Sequence, residues 1–332
     1  MKVCIVGAGA IGGFLGSKLA AAGASVSALA RGATLEALQS HGWRLQTAEG
    51  LIQAPVEAAE SAEQLGEQDL VIIAVKGQAL ADLAPRLAPL VGPQTLVLPA
   101  MNGVPWWFCQ GLPGFEAPLA SVDPAGAIAR PIPFERVVGC VVHASCTCPE
   151  PGLVRHVMGN GLIIGEPAGG ASTRVQQLAE LLERAGFAVT VSADIRYDIW
   201  YKLWGNLTMN PVSAITGATI DRLLDDDLVR QFCSAAMGEA AAIGRLIGCD
   251  VTQSPDERHA VTRKLGAFKT SMLQDAEAGR AIELDSIVGA VQEIGRRLGV
   301  DTPNIDALLG LTRLFARVHG LYPDAGAPRT AQ

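Results

Sequence analysis

A glycine-rich turn close to the start of the chain limits the folds that this sequence can adopt. The chain opens with MKVCIVGAGAIGGFLGSKLAAAG, which reads as a buried strand, a turn with the spacing Gly-x-Gly-x-x-Gly, and an alanine-rich helix. In such a unit the first glycine permits the tight turn, the second lets a pyrophosphate approach the backbone, and the third lets helix pack on strand. The helix N-terminus adds free N–H groups and a positive dipole end. We therefore predict that Gly7, Gly9, Ala10, Ile11 and Gly12 bind a dinucleotide, although a glycine-rich turn alone can be a simple tight turn.

The second predicted strand, ASVSALAR, indicates which dinucleotide is bound. An NAD site usually ends this strand with an acidic residue that accepts a hydrogen bond from the ribose 2′-hydroxyl. Here the strand ends at Arg31, and Glu36 follows only inside the next predicted helix. Because a guanidinium suits a 2′-phosphate, we predict NADPH as the cofactor. The alternative is a solvated arginine at a loop edge.

Polar residues also end the third and fourth predicted strands. Lys76 follows DLVIIAV, and Asn102 ends TLVLPAMN, directly before Gly103. Doubly wound sheets bind their ligands at the carboxyl ends of strands. We predict that Lys76 assists the 2′-phosphate and that Asn102 holds the nicotinamide ribose or the substrate. The alternatives are a lysine that caps a strand edge and a structural Asn-Gly turn.

The order of the remaining elements predicts two domains. A chain of 332 residues, 49% of them hydrophobic, is long enough to bury two cores. VVGCVVHASCTCPEPGLVRHVMGNGLIIGEP reads as antiparallel strands that extend the first sheet, whereas the chain from Asp194 onward is almost entirely helical. We predict an α/β fold with an N-terminal Rossmann-type doubly wound sheet at 1–193, a C-terminal all-helical domain at 194–322, and a frayed tail at 323–332.

Charge and cysteine usage exclude several classes of function. A net charge of −7 with no basic block argues against nucleic acid as a partner. Cys140, Cys146 and Cys148, with His143 between them, lack the paired spacing of a metal site, so no metal is expected. No signal peptide or long apolar run is visible, so we expect a cytoplasmic protein without a membrane partner.

One predicted helix carries a polar stripe that its packing does not require. In DIWYKLWGNLTMNP the apolar residues crowd together as buried helix faces do, yet Lys202, Asn206 and Asn210 fall at i, i+4 and i+8. An ammonium can stabilise the negative charge that develops on a carbonyl oxygen during hydride transfer and can then release a proton. We predict that the stripe faces a cleft. The alternative is a snorkelling lysine beside two solvent-facing or capping asparagines.

YKLWGNLTMNP, followed by SMLQD and IELD, resembles the ketopantoate reductase (2-dehydropantoate 2-reductase) family, and the resemblance spans nearly the whole chain. The resemblance implies that Lys202 is the proton donor to the substrate carbonyl and that Glu283 is the acid that engages the substrate. It implies that Asn206 and Asn210 bind hydroxyl or carboxylate groups of the substrate and that Ser271 contacts its carboxylate. It also implies that Asn102 lies near the nicotinamide and the substrate, and that Arg31 and Lys76 lie at the 2′-phosphate. From the residues alone, Glu283 would be a helix-start acid and Ser271 an ordinary exposed helix residue.

One loop departs from the family pattern, which leaves the substrate open. Many members continue the fourth-strand asparagine as Asn-Gly-Leu-Gly or Asn-Gly-Met-Gly, whereas this chain has NGVPWWF, with Trp106 and Trp107. If the loop lines the cleft, we expect a differently shaped pocket. The leading hypothesis is an NADPH-dependent reductase of a 2-oxo acid, first of all ketopantoate, with a homodimer as an open expectation. The alternatives are a reductase of another small carbonyl compound and a dinucleotide sensor without turnover.

Overall fold

The computed structural model describes residues 1–324, in which the chain forms two compact units. The first unit contains Met1–Met101 and Gly126–Asp198, and the second contains Asn102–Ala125 and the chain from Ile199 onward. The frayed tail expected at 323–332 lies outside the described residues from position 325 on. The domain boundaries expected at 1–193 and 194–322 stay predictions.

The secondary structure alternates in the first unit and is helical in most of the second. Among the described residues the strands are β1 (Lys2–Val6), β2 (Ser25–Leu29), β3 (Trp43–Thr47), β4 (Gly50–Ala54), β5 (Glu57–Ala59), β6 (Gln68–Ile73), β7 (Val91–Pro99), β8 (Gly139–Glu150), β9 (Leu153–Gly165) and β10 (Ala188–Val191). The α-helices are α1 (Ala10–Ala21), α2 (Gly32–His41), α3 (Ala62–Leu65), α4 (Gly77–Leu83), α5 (Thr173–Arg184), α6 (Ile195–Thr216), α7 (Ile220–Asp225), α8 (Asp227–Leu246), α9 (Pro255–Arg263), α10 (Ser271–Glu277), α11 (Ala290–Leu298) and α12 (Pro303–Val318). The 3-10 segments are Ala84–Leu90, Pro124–Gly126 and Phe134–Arg136, and one π-helical turn is Asp285–Gly289.

The core of the first unit is a parallel sheet with the strand order β5-β2-β1-β6-β7. Val3 of β1 pairs with Val26 on one side and with Leu70 on the other, and all three are buried. The strand order therefore reverses direction at β1, which is the point where such sheets bind dinucleotides. The predicted Rossmann-type doubly wound sheet is confirmed.

A second sheet, with the order β10-β9-β3-β4 and with β8 on the other edge of β9, corrects one expectation. The prediction that β8 and β9 extend the first sheet is wrong, although they do pair antiparallel to each other. They form this separate sheet because β9 pairs in parallel with β3 and β10. The hairpin of β3 and β4 was not predicted from the sequence.

The glycines of α1 allow this helix to pack closely against both sheets. A Cβ on Gly12 would overlap the Gly7 carbonyl oxygen and lie 3.0 Å from the Ile5 side chain in β1. A Cβ on Gly16, on another face of α1, would lie 2.6 Å from the ring of Trp43 in β3. Protein interiors are packed as densely as crystals, so both contacts require glycine. Helix α1 therefore contributes both to the glycine-rich turn and to the hydrophobic core of the first unit.

In the second unit the described chain from Ile199 onward contains no strand, so the predicted helical character is confirmed. Trp200 and Trp204 fix the apolar side of α6, because both are buried and the Trp204 Nε1–H donates to the Met237 carbonyl oxygen at 2.7 Å. A buried cluster of the second unit includes Leu224, Cys233 and Leu308. Within residues 1–324 no helix combines the length and the apolarity that crossing a bilayer requires.

Candidate active site

The glycine turn between β1 and α1 has the geometry that a dinucleotide requires. Gly7 has φ of +89°, a conformation that side chains other than glycine's rarely adopt, and its N–H donates to the Leu29 carbonyl oxygen at 3.1 Å. A Cβ on Gly9 would meet no atom within 4 Å, so space is open where a pyrophosphate would approach. Ala10 and Ile11, both half-buried, form the first turn of α1 beside this space. The residues present therefore fit the diphosphate group of a dinucleotide.

Arg31 and Lys76 follow the two strands that flank β1. Arg31 directly precedes α2 after the end of β2, and Lys76 directly precedes α4 after the end of β6. Because β2, β1 and β6 are adjacent and parallel, Arg31, the glycine turn and Lys76 lie at one edge of the sheet. Arg31 is exposed and Lys76 is half-buried. Two cationic side chains thus lie at the edge that carries the glycine turn.

The predicted polar stripe lies along α6 in the second unit. Lys202 and Asn206 are half-buried, and Asn210 is 5% exposed, one turn further along the same face. Trp200 and Trp204 on the apolar side are almost completely buried. The tryptophan side of α6 is therefore packed, and exposure along the stripe falls from Lys202 and Asn206 to the buried Asn210. That the stripe faces a cleft stays a prediction.

Lys202 is held by Asn102, which belongs to the same unit. The Lys202 Nζ group donates a hydrogen bond to Asn102 Oδ1 at 2.9 Å. Since an ammonium only donates, the atom of the carboxamide that faces it has to be the oxygen. The Asn102 Nδ2 group then remains as a donor toward a further partner. The structure thus brings together two residues that lie 100 positions apart in the sequence.

The backbone after Asn102 is fixed by a π-helical turn that the sequence did not reveal. Gly103 has φ of +82°, and a Cβ there would lie 2.6 Å from the carbonyl carbon of Ser286. The Val104 N–H donates to the Ser286 carbonyl oxygen at 2.8 Å. Ser286 is the second residue of the π-helical turn Asp285–Gly289. The Asn-Gly pair was a visible signal for the positive φ, but no sequence pattern indicates its partner.

Glu283 and Ser271 are placed by different elements of the second unit. Glu283 is half-buried between the buried side chains of Ile282 and Leu284, two residues before the π-helical turn begins at Asp285. Ser271 is exposed and is the first residue of α10, which Thr270 caps by accepting from the Leu273 N–H at 3.2 Å. The predicted residues divide between the units, with Arg31 and Lys76 in the first and Asn102, Lys202, Asn206, Asn210, Ser271 and Glu283 in the second.

The aromatic side chains of the loop after Asn102 pack inward, and the effect of this loop on the shape of the substrate pocket stays a prediction. Trp107 is fully buried and Trp106 is 4% exposed. Phe108 stacks on Trp200 of α6 with ring centroids 5.9 Å apart. The bulk of the loop therefore fills the core of the second unit and fastens the chain after Asn102 to α6.

Comparison with known proteins covers nearly the whole chain. Residues 3–169 match the family described as Ketopantoate reductase PanE/ApbA, and residues 194–316 match its C-terminal counterpart. A 2-dehydropantoate 2-reductase from Mesorhizobium japonicum is 46% identical over 97% of this chain and 100% of its own length. A protein from Ralstonia solanacearum, provisionally assigned as a ketopantoate reductase, has a crystal structure with a TM-score of 0.93 at 55% identity, which covers 97% of this chain and 99% of that one.

A more distant structure shows how widely the fold is used. A D-mandelate dehydrogenase, solved with NADH and anilino(oxo)acetate, has a TM-score of 0.83 at 22% identity and covers 97% of this chain and 100% of that one. At this identity the likeness concerns the fold. The family matches and the 46% identical relative go further, since they extend over both units. The chain belongs to the ketopantoate reductase family.

Proposed function

We propose that this protein reduces 2-dehydropantoate (ketopantoate) to pantoate with NADPH, a step of pantothenate biosynthesis. The observation that carries the proposal is the hydrogen bond from Lys202 to Asn102 on the polar side of α6, in a chain of this family. The 46% identical relative bears the name of the same activity. The family uses a nicotinamide dinucleotide, and the glycine turn of the first unit fits one.

Lys202 is proposed as the general acid. When bound, NADPH supplies a hydride to the carbonyl carbon of the substrate. The carbonyl oxygen then gains negative charge, which the Lys202 ammonium stabilises before it donates the proton that completes the alcohol. One ammonium N–H is directed at Asn102 Oδ1, so Asn102 fixes the direction of the others. The polarity of this pair suits reduction of a ketone better than dinucleotide sensing, which requires no proton donor.

The remaining polar residues are proposed as substrate ligands. Asn206 and Asn210 continue the stripe from Lys202, and a carboxamide there can donate to a carboxylate or accept from a hydroxyl. Asn210 is 5% exposed, and leaving a buried amide without a partner costs about 1–3 kcal/mol. Ser271 is assigned to the carboxylate, and Glu283 to the substrate hydroxyl and the network around it. A site of this kind favours a ligand with both groups.

NADPH rather than NADH is proposed because of the charges at the edge of the parallel sheet. Arg31 stands where an NAD site places an acid, and Lys76 follows the strand on the other side of β1. A 2′-phosphate gains charge-assisted hydrogen bonds from such groups, each contributing about 1.5–3 kcal/mol. The 2′-hydroxyl of NADH offers neither cation a negative charge.

Steady-state oxidation of NADPH with ketopantoate, pyruvate and 2-oxoisovalerate tests the function. Pyruvate lacks the hydroxyl arm and the bulk, so we expect its kcat/KM to be lower than that of ketopantoate by a factor on the order of 10³. If ketopantoate is no better than the hydroxyl-free 2-oxoisovalerate, the protein reduces a different small carbonyl compound. Tight NADPH binding without turnover of any 2-oxo acid would indicate a sensor.

A homodimer is proposed through α12. Leu311, Leu314 and Val318 are 62%, 61% and 73% exposed and lie at i, i+3 and i+7 on one stripe. Ala307 and Gly310 lie near the same stripe, and a Cβ on Gly310 would meet no atom within 4 Å. Glycine inside a helix costs about 1 kcal/mol relative to alanine, which a close helix neighbour would offset.

A second copy fits this stripe because α12 is complementary to itself. If two α12 helices pair antiparallel about a point between residues 310 and 311, Leu314 faces Ala307 and Leu311 faces Gly310. Asp306 beside the stripe then approaches Arg313 and Arg317 of the second copy, and the dipoles of the two helices oppose each other favourably. In this pairing the large side chains of one α12 helix lie against small residues of the other, and the acidic side chain of one lies near the basic side chains of the other.

We also propose that the protein works in the cytoplasm. Cys4, Cys146 and Cys233 are free thiols, and a reducing compartment keeps thiols in that state. Burial raises the pKa of Cys4 to about 11 and that of Cys146 to about 12, so neither is a reactive thiolate at neutral pH. Both residues act as small apolar side chains.

A further inference from the structure

The chain after α12 turns back and attaches to the segment that carries Glu283. Residues 319–323, which we name the C-terminal strap, follow the last turn of α12. The Leu321 N–H donates to the Ala316 carbonyl oxygen at 2.7 Å, and the Leu321 carbonyl oxygen accepts from the Ile282 N–H at 3.1 Å. Leu321 and Ile282 are both buried. The backbone next to Glu283 is therefore fixed by the strap.

A side-chain hydrogen bond joins the strap to the start of the π-helical turn. The Tyr322 hydroxyl donates to Asp285 Oδ1 at 2.7 Å. The Arg317 guanidinium lies 5.7 Å from the centre of the Tyr322 ring, and its Nε–H donates to the Pro323 carbonyl oxygen at 3.1 Å. Arg317 thus holds the strap from the α12 side, while Tyr322 reaches across to Asp285.

The π-helical turn links the strap to the backbone beside Asn102. A π-turn interrupts the regular hydrogen bonding of a helix and occurs mostly as a single turn, frequently at functional sites. Asp285 begins the turn, and the next residue, Ser286, accepts from the Val104 N–H at 2.8 Å. Gly103 fits against the Ser286 backbone. Asn102 precedes this contact and accepts from Lys202 at 2.9 Å.

We propose that Tyr322 and Asp285 are positioning residues for catalysis. Their hydrogen bond holds the segment 282–286, and through it both Glu283 and the Asn102 turn, in the arrangement that directs the Lys202 ammonium. The inference rests on the proposed reduction of a 2-oxo acid. It assigns to the C-terminal strap a role in turnover, because small displacements of aligned groups lower the rate strongly even when binding persists.

Variants that remove the hydrogen bond between Tyr322 and Asp285 test this role in the full-length enzyme. We expect Tyr322→Phe and Asp285→Ala each to lower kcat with the preferred 2-oxo acid by about tenfold, with the KM for NADPH unchanged. Asp285→Asn keeps an acceptor for the Tyr322 hydroxyl and should retain most of the activity. The double variant Tyr322→Phe/Asp285→Ala should be no slower than Asp285→Ala, because both changes break the same bond.

Tyr201→Phe is the matched control. It removes a hydroxyl that donates to Gln253 Oε1 at 2.8 Å in the same unit, and neither residue belongs to the strap. We expect kcat to stay near that of the unchanged enzyme. Hydrogen–deuterium exchange supplies a readout independent of turnover. Peptides that cover residues 282–289 should exchange faster in Tyr322→Phe than in Tyr201→Phe.

The possible failures can be told apart. If the unchanged enzyme reduces no 2-oxo acid, the proposed function fails and the exchange data alone decide whether Tyr322 orders the π-helical turn. If the unchanged enzyme turns over but Tyr322→Phe keeps a kcat within twofold, the positioning role is overturned. Fully additive losses in the double variant, or a loss in Asp285→Asn equal to that in Asp285→Ala, would overturn it as well.

Discussion

The Lys202 ammonium and the Asn102 carboxamide oxygen are joined by a hydrogen bond of 2.9 Å. The lysine is presented by a regular helix, whereas the asparagine is presented by a turn that depends on Gly103 and on the Ser286 carbonyl oxygen. A flexible side chain is therefore directed by a rigid backbone. This arrangement suits a proton donor, which has to meet one oxygen atom of a bound ligand.

Lys202→Ala should lower kcat by about 10²–10⁴, the usual range for a lost general acid. The affinity for NADPH should change little, because the residues predicted to bind its diphosphate and its 2′-phosphate lie in the first unit. Steady-state kinetics and cofactor titration provide both values, and Lys264→Ala, an exposed lysine after α9, is the control. A variant with near-normal kcat would show that another group donates the proton.

Arg31→Ala should weaken the binding of NADPH by about 1.5–3 kcal/mol, the contribution of a charge-assisted hydrogen bond to the 2′-phosphate. NADH binding should be nearly unaffected, since it lacks that phosphate. Fluorescence titration of both cofactors measures the difference, and Arg245→Ala, an exposed arginine of α8, is the control. Equal losses for the two cofactors would contradict the assignment of Arg31.

Gly16→Ala should destabilise the fold by about 1–3 kcal/mol, the usual cost of overpacking, because its Cβ would lie 2.6 Å from the Trp43 ring. Gly238→Ala is the matched control, since this exposed glycine of α8 has open space around it. The control should be more stable than the unchanged protein by about 0.5–1 kcal/mol through helix propensity. Urea unfolding measures both, and a stable Gly16→Ala would disprove the tight packing of α1.

The stability of the protein should fall in mild acid because of His259. Its ring is buried, and neither ring nitrogen has a hydrogen-bond partner among the described residues. Burial lowers its pKa below 6.5, with Arg230 and Arg263 acting in the same direction and Asp256 opposing them. The unfolded chain therefore binds a proton at this histidine more readily than the folded chain does. The contribution of neutral His259 to the free energy of unfolding is thus fully present above about pH 6.5, and it declines as the pH falls through the pKa of the unfolded chain and then that of the folded chain.

His259→Phe keeps a ring of similar size and removes the titration. The drop in the free energy of unfolding between pH 7.5 and pH 5.5 should be smaller in this variant than in the unchanged protein. His41→Gln, at an exposed histidine of α2, should leave the drop as it is. An identical pH dependence in all three proteins would exclude His259 as its source.

Leu314→Asp should dissociate the proposed homodimer, because it places a charge at the centre of the α12 stripe. Sedimentation velocity over a range of concentrations measures the mass, and Leu246→Asp, an exposed leucine of α8, is the control. An unchanged protein that stays monomeric at every concentration would contradict the dimer. If Leu246→Asp alone dissociates it, the copies meet through another surface.

Local patterns made parts of the site predictable. The Gly7, Gly9 and Gly12 spacing requires one turn between one strand and one helix, so sequence order and geometry coincide. The stripe from Lys202 to Asn206 follows from the helical period alone. Arg31 was proposed in the same way, because it follows a strand that has a fixed place in such sheets.

Contacts between distant segments were not predictable. The hairpin of β3 and β4 is short, and β3 finds its parallel partner β9 more than a hundred residues later. The segment that ends in Gly289 reads as a plain helix start, and its π-turn is accompanied by the contacts of Tyr322 and Val104. The burial of Trp107 was not predictable, because aromatic residues suit a cleft wall and a core equally well.

The assignment of Asn102–Ala125 to the second unit limits how the molecule can be divided. A fragment that begins at residue 194 contains Lys202 but lacks its hydrogen-bond partner and the buried ring of Trp107. Dividing the sequence at a single position therefore cannot give a fragment that contains the complete second unit. The two halves of the sequence are not interchangeable modules, so exchanging the C-terminal part between relatives would require the loop after β7 to be exchanged with it.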